Sequence, residues 1–250
     1  MSSHGQANAL VIGGGSGIGA AVVELYRERD IPVTVWDVSG AYDIHCDVGQ
    51  PEEITRATDE TLAQAGIPRW VTITAGIGHA GLLVDAGPDE WDRVMGINAR
   101  GPWLCMRALA SVMLRASQPG SMVATSSISA HLIDRAMGLY GASKAALSMI
   151  VQVAACEWGH AGIRVNAVAP GVTRTPMLGR AAEGSSWLDA VAARTALGRL
   201  GEAEDIAHSI HSLHQMEWVT GQVLDCDGGL SLHSPIDSFG AGSRRERPSR

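Results

Sequence analysis

Five glycines crowd into seven residues, Gly13-Gly14-Gly15-Ser16-Gly17-Ile18-Gly19, directly after a short apolar run at 9–12 and directly before helix-period residues at 20–26. A strand that ends in glycines and passes straight into a helix builds an anion site at the helix start. Glycine lets the backbone approach a pyrophosphate closely, and the first helical amides and the helix dipole then stabilise its charge. The ligand implied carries two phosphates. A flexible tight turn is the ordinary alternative, and five glycines between a buried strand and a helix weigh against it. The glycines alone leave their register open: Gly15-x-Gly17-x-x-Ala20 fits the dinucleotide fingerprint, whereas Gly13-x-x-x-Gly17-x-Gly19 is a different spacing.

The rest of the chain repeats the strand-then-helix rhythm. β-Branched runs at 9–12, 33–36, 44–46, 70–74, 121–125, 164–168 and 222–224 alternate with helix-period segments at 17–29, 51–65, 89–115, 140–159 and 202–215. This predicts an α/β fold, a doubly wound parallel sheet of seven strands flanked by helices. Pro51 and Pro88 suit first-turn positions. With no internal repeat and no dividing linker, a single domain is expected. Segment 173–199 mixes Pro, Gly, Ser and Arg with Met177, Leu178, Trp187 and Leu188, which fits a mobile cover better than a sheet element. Residues 238–250 are polar and basic and read as a disordered, solvated tail.

Composition narrows the partners. The 26 acidic against 19 basic residues give a formal net charge of −7, which opposes non-specific binding to nucleic acid or to an anionic membrane. Cys46, Cys105, Cys156 and Cys226 stand singly, without CxxC spacing, and read as reduced thiols of a cytoplasmic protein. No apolar run is read as approaching a membrane span, and residues 1–8 are short and polar rather than a basic stretch leading into an apolar core. No His/Cys cluster has the spacing of a metal site.

Two further features give the phosphate turn a chemistry. Asp37 closes the second strand about twenty residues past the glycines, where a carboxylate can accept hydrogen bonds from a ribose diol. It would repel a 2′-phosphate, and position 16 offers Ser rather than an Arg, which favours NAD over NADP. As a plain residue, Asp37 would be a strand-end turn former. Tyr140-Gly141-Ala142-Ser143-Lys144 opens a helix-period run and puts a phenol and an ammonium on one helix face. A neighbouring ammonium favours the ionised phenol, making it a usable proton donor and acceptor near neutral pH. Taken alone the pair is more often incidental, since Tyr and Lys fall four apart on many helices.

With the glycine turn, Asp37 and the Tyr140/Lys144 pair together, the chain resembles the short-chain dehydrogenase/reductase family over 7–229. Gly13-x-x-x-Gly17-x-Gly19, enclosing Ser16 and Ile18, corresponds to that family's cofactor turn, and Tyr140-x-x-x-Lys144 to its catalytic signature. Ser127, thirteen residues before Tyr140, looks like the catalytic serine after the fifth strand, and Asn98 matches the asparagine that completes the tetrad. Asp47-Val48 is similar to the pair beside the adenine. Pro170-Gly171-Val172 with Thr175-Pro176 is similar to the nicotinamide segment, and Asp227-Gly228-Gly229 to the motif after the last strand. The resemblance implies a Rossmann-fold dehydrogenase domain over 7–230, a C-terminal extension over 231–250 and NAD(H) as cofactor. It also implies a homo-oligomer, dimer or tetramer, formed through the helices that hold Asn98 and Tyr140.

The departures from the family pattern are informative. Ile12 stands where a threonine is usual, and Ile73-Thr74-Ala75-Gly76 where Asn-Asn-Ala-Gly is usual; Thr74 keeps a hydroxyl, so the local network must differ. About ten residues between Asp37 and Asp47 are too few for the usual intervening helix, which predicts a short loop and a more open adenine end. That link, His131, Met137 and the run 140–147 look more like dihydrodiol dehydrogenases than like fatty-acid ketoreductases.

The resemblance gives Tyr140 the proton transfer to or from an alcohol oxygen, while Lys144 lowers the phenol's pKa and bonds the nicotinamide ribose. Ser127 holds the reacting oxygen, and Asn98 positions a water that links Lys144 to solvent. Each has a plain alternative: Ser127 a backbone cap after a strand, Asn98 a buried amide, His131 an exposed loop imidazole. The expected activity is NAD(H)-dependent interconversion of a secondary alcohol and a ketone. An NADPH-dependent 3-oxoacyl-thioester reductase, opposed by Asp37, and a cofactor-binding regulatory protein, opposed by the complete tetrad, are the alternatives. Specificity falls to 77–83, 129–139 and 173–199, with Met177, Leu178 and Trp187 either core or substrate contacts. The tail beyond Gly229 is long enough to cover a neighbouring subunit's site.

Overall fold

The computed structural model describes residues 8–179 and 186–232. Among them lie nine strands: β1 (Ala9–Ile12), β2 (Val33–Asp37), β3 (Ile44–His45), β4 (Trp70–Ile73), β5 (Gly120–Thr125), β6 (Ile163–Pro170), β7 (Thr173–Arg174), β8 (Gly201–Glu202) and β9 (Val223–Cys226). Seven form one parallel sheet in the order β3-β2-β1-β4-β5-β6-β9, while β7 and β8 pair only with each other. The doubly wound expectation holds, with strand ends shifted by at most two residues. In register, Ala9 lies beside Val33 and Trp70, and Ile12 beside Trp36 and Ile73. Every residue of β1 is buried, because helices cover both faces; hence its unbroken apolar run.

The helices are α1 (Gly17–Glu28), α2 (Pro51–Ala65), α3 (Pro88–Met95), α4 (Gly101–Arg115), α5 (Gly138–Trp158), α6 (Ser186–Arg194) and α7 (Ala203–Gln215). α1 and α7 pack Val22, Tyr26, Ile206 and Ile210 against Val11, Val35 and Val168. On the other face α2, α4 and α5 bring Ile54, Met106, Leu109, Leu147 and Val151 against Leu10, Ile12, Ile73 and Val165. The winding reverses between β1 and β4, so the crevice at their carboxyl ends, where Gly13 and Thr74 emerge, is the binding position this topology provides.

Three expectations need correction. The single helix over 89–115 is α3 and α4 joined by a π turn at Gly96–Arg100, and Asn98 sits in that turn; one widened turn leaves no mark in a 3.6-residue period. Segment 173–199 is more ordered than a cover: it holds β7, a 3₁₀ turn at Pro176–Leu178 and α6, with 180–185 outside the described residues. A two-residue strand is too short to show a period. Finally, the helical stretch Gly138–Ala161, with mean hydropathy 1.3 in its best window, is long and apolar enough to span a membrane, contrary to expectation. Its place explains the composition: Leu147, Val151, Ala154 and Ala155 are buried against the sheet side, while Met149 and Val153 face outward. The expected link between β2 and β3 is present as a short loop without a helix. The tail 238–250 and its suggested reach to a neighbour lie outside the described residues.

A polar cluster fixes the end of the sheet opposite the crevice. The His214 ring, enclosed in α7, stacks on Trp70 with centroids 5.4 Å apart, and its two nitrogens lie 3.0 Å from the hydroxyls of Thr72 and Ser121. Arg29 donates to His211 Nε2 at 2.7 Å. Burial, reinforced by the Arg164 charge, holds His214 well below 6.5, so the fold binds it neutral. A histidine with a depressed folded pKa contributes stability that is complete above its unfolded pKa and is lost as pH falls below it. The unfolding free energy should therefore decline below about pH 6.5 by about 1.4 kcal/mol per pH unit from His214. Urea unfolding at about pH 7.5 and about pH 5.5 measures this. His214→Gln should flatten the dependence; a wild-type midpoint unchanged between the two would contradict it.

Candidate active site

The glycine turn hangs from the end of β1. Gly13 has φ +87°, and a Cβ there would lie 2.4 Å from the Ala75 amide nitrogen. Gly19 passes so close beneath that its Cβ would meet the Gly13 carbonyl oxygen at 2.0 Å. Thr74 binds the layers: its hydroxyl lies 2.9 Å from Gly13 O and 3.1 Å from Ile12 O, with one hydrogen to share. That is the altered network expected from the departure at 73–74. Ser16 leads into α1 extended and without a side-chain cap bond, so the amides of Gly17, Ile18 and Gly19 keep their hydrogens for an outside acceptor. Ala20 is the first amide satisfied from within, by Ser16 O at 3.2 Å. Open donors, a helix dipole and no Cβ in the way fit a dinucleotide pyrophosphate.

The other cofactor candidates surround this cradle. Thr175 stands over the turn, its Cβ 3.5 Å from where a Gly17 Cβ would be. Pro170 ends β6, and Gly171 and Val172 follow it; a Cβ on Gly171 would come within 2.8 Å of the Asp227 Cβ. Asp37 at the end of β2 accepts from the Gly15 amide at 2.7 Å, the Val38 amide at 2.7 Å and the Ser39 amide at 3.1 Å. The loop after it does not leave this end as open as expected, since Ser39 and Gly40 fold back onto Gly15, where a Cβ would meet Ser39 O at 2.2 Å. Asp47 caps its own turn, accepting from the Gly49 amide at 2.8 Å, and Val48 is buried beside Gly101. Ala75 and Gly76 follow β4 across the crevice from Gly13.

Ser126, Ser148 and the Thr125 carbonyl hold the start of α5 to the end of β5, and Ser143 braces α5 from within. Ser126 Oγ lies 2.7 Å from Ser148 Oγ and donates toward Lys144 O at 3.1 Å; Ser143 Oγ donates to Tyr140 O at 2.7 Å. Lys144 is buried and donates from Nζ to Thr125 O at 2.8 Å, with Nζ 5.7 Å from the Tyr140 ring centre. Burial lowers its pKa to about 8. Ser127, extended at the N-cap of the next 3₁₀ turn, accepts from the Ser129 amide at 3.1 Å, and its hydroxyl lies on the side of the Tyr140 phenol, whose pKa it lowers. Ser127, Tyr140 and Lys144 thus share one cluster. The expectation that Lys144 lowers the Tyr140 pKa is corrected, however: burial raises the phenol, and the Ser127 hydroxyl offsets this only in part. The Lys144 ammonium stands over the Tyr140 ring but gives its hydrogen bond to Thr125 O.

Asn98 joins the cluster from the π turn. Its Oδ1 accepts from the Ile77 amide at 2.8 Å, while its Nδ2 donates to Ile77 O at 2.9 Å and reaches Ser143 Oγ at 3.2 Å. Three of the four hydrogen-bond positions of the amide are thus filled, two of them by Ile77, and Gly76 lies between it and Lys144, a Cβ there being 3.2 Å from Asn98 Oδ1 and 3.4 Å from Lys144 Nζ. Thr125 went unnoticed in the sequence because it acts through its carbonyl. Ser126 and Ser143 carry no spacing signal. His131, set down as an exposed loop imidazole, is exposed but pairs with Asp225 on β9 at 3.2 Å.

Such a layout has the parts to move a proton beside a dinucleotide, the chemistry of an oxidoreductase. A family model described as enoyl-(acyl carrier protein) reductase, one of the short-chain dehydrogenase models, matches residues 13–231. A 2,5-dichloro-2,5-cyclohexadiene-1,4-diol dehydrogenase of Sphingobium indicum is 33% identical over 92% of this chain and 99% of its own. A (3R)-3-hydroxyacyl-CoA dehydrogenase of Canis lupus familiaris is 31% identical over 90% and 96%. The solved structure of ElxO with NADP bound superposes with a TM-score of 0.84 at 25% identity, covering 92% of this chain and all of the other. The chain belongs to the short-chain dehydrogenase/reductase family.

Proposed function

We propose that the protein is an NAD(H)-dependent dehydrogenase that interconverts a secondary alcohol carrying an apolar body and its ketone. The observation that carries this is the cluster of buried Ser127 and Lys144 with half-buried Tyr140, beside an open pyrophosphate cradle. A bound nicotinamide dinucleotide supplies the hydride acceptor or donor. Gly13 to Gly19, Asp37, Thr175 and the segment 170–172 hold it. In alcohol oxidation Tyr140 takes the hydroxyl proton, while Ser127 donates to the reacting oxygen and fixes it against the phenol. Lys144, with a pKa of about 8, can take on and release a proton near neutrality, and Asn98 in the widened turn would position a water that links it to solvent. The apolar body is supported by the rim: Leu83 and Ile133 are exposed on the loops beside Gly138, and Met177 is exposed over Gly78. The cyclic diol dehydrogenase among the relatives fits such a substrate.

NAD is preferred on charge. A 2′-phosphate beside the Asp37 carboxylate would meet like charge and no described cation bonded to that carboxylate. The NADP-bound neighbour is the reading to exclude. Fluorescence titration should show NADH binding at least about tenfold tighter than NADPH, a gap that closes in Asp37→Ala. Tighter binding of NADPH by the wild type would overturn the NAD assignment.

A further inference from the structure

The loop after β4 forms one wall of the proposed site, and it is anchored twice. At its catalytic end Asn98 grips Ile77 through both amide atoms. At its outer end His79 Nε2 lies 2.9 Å from Glu90 Oε1 on α3, the His79 side chain being 4% exposed and the Glu90 side chain 41% exposed. A carboxylate can only accept, so Nε2 carries the hydrogen. The other nitrogen, Nδ1, is buried without a partner. A leucine would fill the space with no unmet polar atom, so packing alone does not account for an imidazole here.

What the His79–Glu90 contact supports is the loop directly above it. The ring lies under Gly81, where a Cβ would be 3.2 Å from His79 Cε1. The Gly81 amide donates to Ala136 O at 2.8 Å, and Gly81 bridges to Met137. Leu83 packs on Gly138, two residues before Tyr140, so closely that a Cβ there would come within 2.4 Å of it. The wall at 77–83 therefore leans on the segment that delivers Tyr140, and α3 props it from below.

We propose that His79, held by Glu90, is a positioning residue that sets the substrate wall of the site without touching substrate or cofactor. The kinetic part rests on the dehydrogenase reading above; the structural part does not. Losing a hydrogen bond to a carboxylate is expected to raise KM for a bulky secondary alcohol about tenfold in His79→Leu, with kcat changed less than about threefold. NADH affinity should stay unchanged. His79→Gln, which can still donate toward Glu90, should restore KM to within about threefold of wild type. Glu90→Leu should match His79→Leu, and the double variant should add nothing further.

Hydrogen exchange reads the same contact without turnover. In His79→Leu the Gly81 amide and the segments 77–83 and 131–138 should exchange about tenfold faster, with protection of β1 and β4 unchanged. Faster exchange there with no activity in the wild type would uphold the strut and refute the dehydrogenase reading. Unchanged exchange at Gly81, a Gln variant no better than Leu, or a kcat loss at constant KM would each overturn the proposal.

Discussion

Tyr140→Phe is expected to lower kcat/KM for alcohol oxidation by about a thousandfold, because removing a positioned acid/base group forfeits about 10²–10⁴ in rate. The ring stays, so its packing against α5 and the neighbouring loops is kept. Only the polar contact of the phenol oxygen toward Ser127 is lost, and the change in stability should be about 1 kcal/mol or less. NADH binding should be spared, since the pyrophosphate cradle lies on α1 and not on α5. The correction at this residue sharpens the expectation. Burial raises the phenol, so Tyr140 rests neutral, the form that donates a proton in ketone reduction, and alcohol oxidation should quicken as pH rises and the phenolate forms. Ser127→Ala should then cost nearly as much as the tyrosine variant. Steady-state NADH formation by the purified variants, with tryptophan fluorescence for cofactor binding, measures both; a Tyr140→Phe enzyme with wild-type turnover would remove the residue from the mechanism.

Gly13→Ala should be among the most damaging single methyl groups at the described residues. Its Cβ would stand 2.4 Å from Ala75 N and 2.7 Å from Ala75 Cα, and its φ of +87° is one that alanine adopts only under strain. Backbone cannot swing aside as a side chain can, so overlap and strain together cost about 3 kcal/mol or more. For a chain of this size that lowers Tm by about 10 °C. Because the amides of Gly17 to Gly19 are aimed by the same turn, NADH affinity should fall as well. Gly87→Ala, with open space around the added atom and no left-handed φ, is the control and should be close to neutral. Calorimetry with and without NADH separates the two losses. Equal Tm and affinity for Gly13→Ala and wild type would mean that the turn is not as tight as described.

The parts legible in the sequence are those whose chemistry sits in side-chain type at short spacing. Gly13 to Gly19, Asp37 and the Tyr140/Lys144 pair were readable because a turn, a strand end and one helix face each fix their neighbours locally. The strands were readable because both faces of the central ones are covered, which leaves continuous apolar runs. Main-chain partners were not. Nothing in the letters says that Lys144 donates to the Thr125 carbonyl, or that the Asn98 amide holds Ile77. The π turn at Gly96–Arg100 was hidden because a single widened turn barely shifts a helical period. The strand at Thr173–Arg174 was hidden because β7 and β8 hold each other across a long stretch of chain. The fate of the Tyr140 phenol was misjudged because burial acts through the whole fold, whereas the expectation rested on one neighbour four residues away.

Hydride transfer to NAD is the central step of the proposed reaction. Oxidation of a panel of alicyclic, aryl and short aliphatic secondary alcohols, followed by NADH absorbance and by ketone analysis, tests it most directly. NADH and ketone should appear in equal amounts, faster with the alicyclic and aryl alcohols than with the short aliphatic ones, and not with Tyr140→Phe. NADH that binds the wild type tightly while no alcohol in the panel is oxidised and no matching ketone is reduced would contradict it.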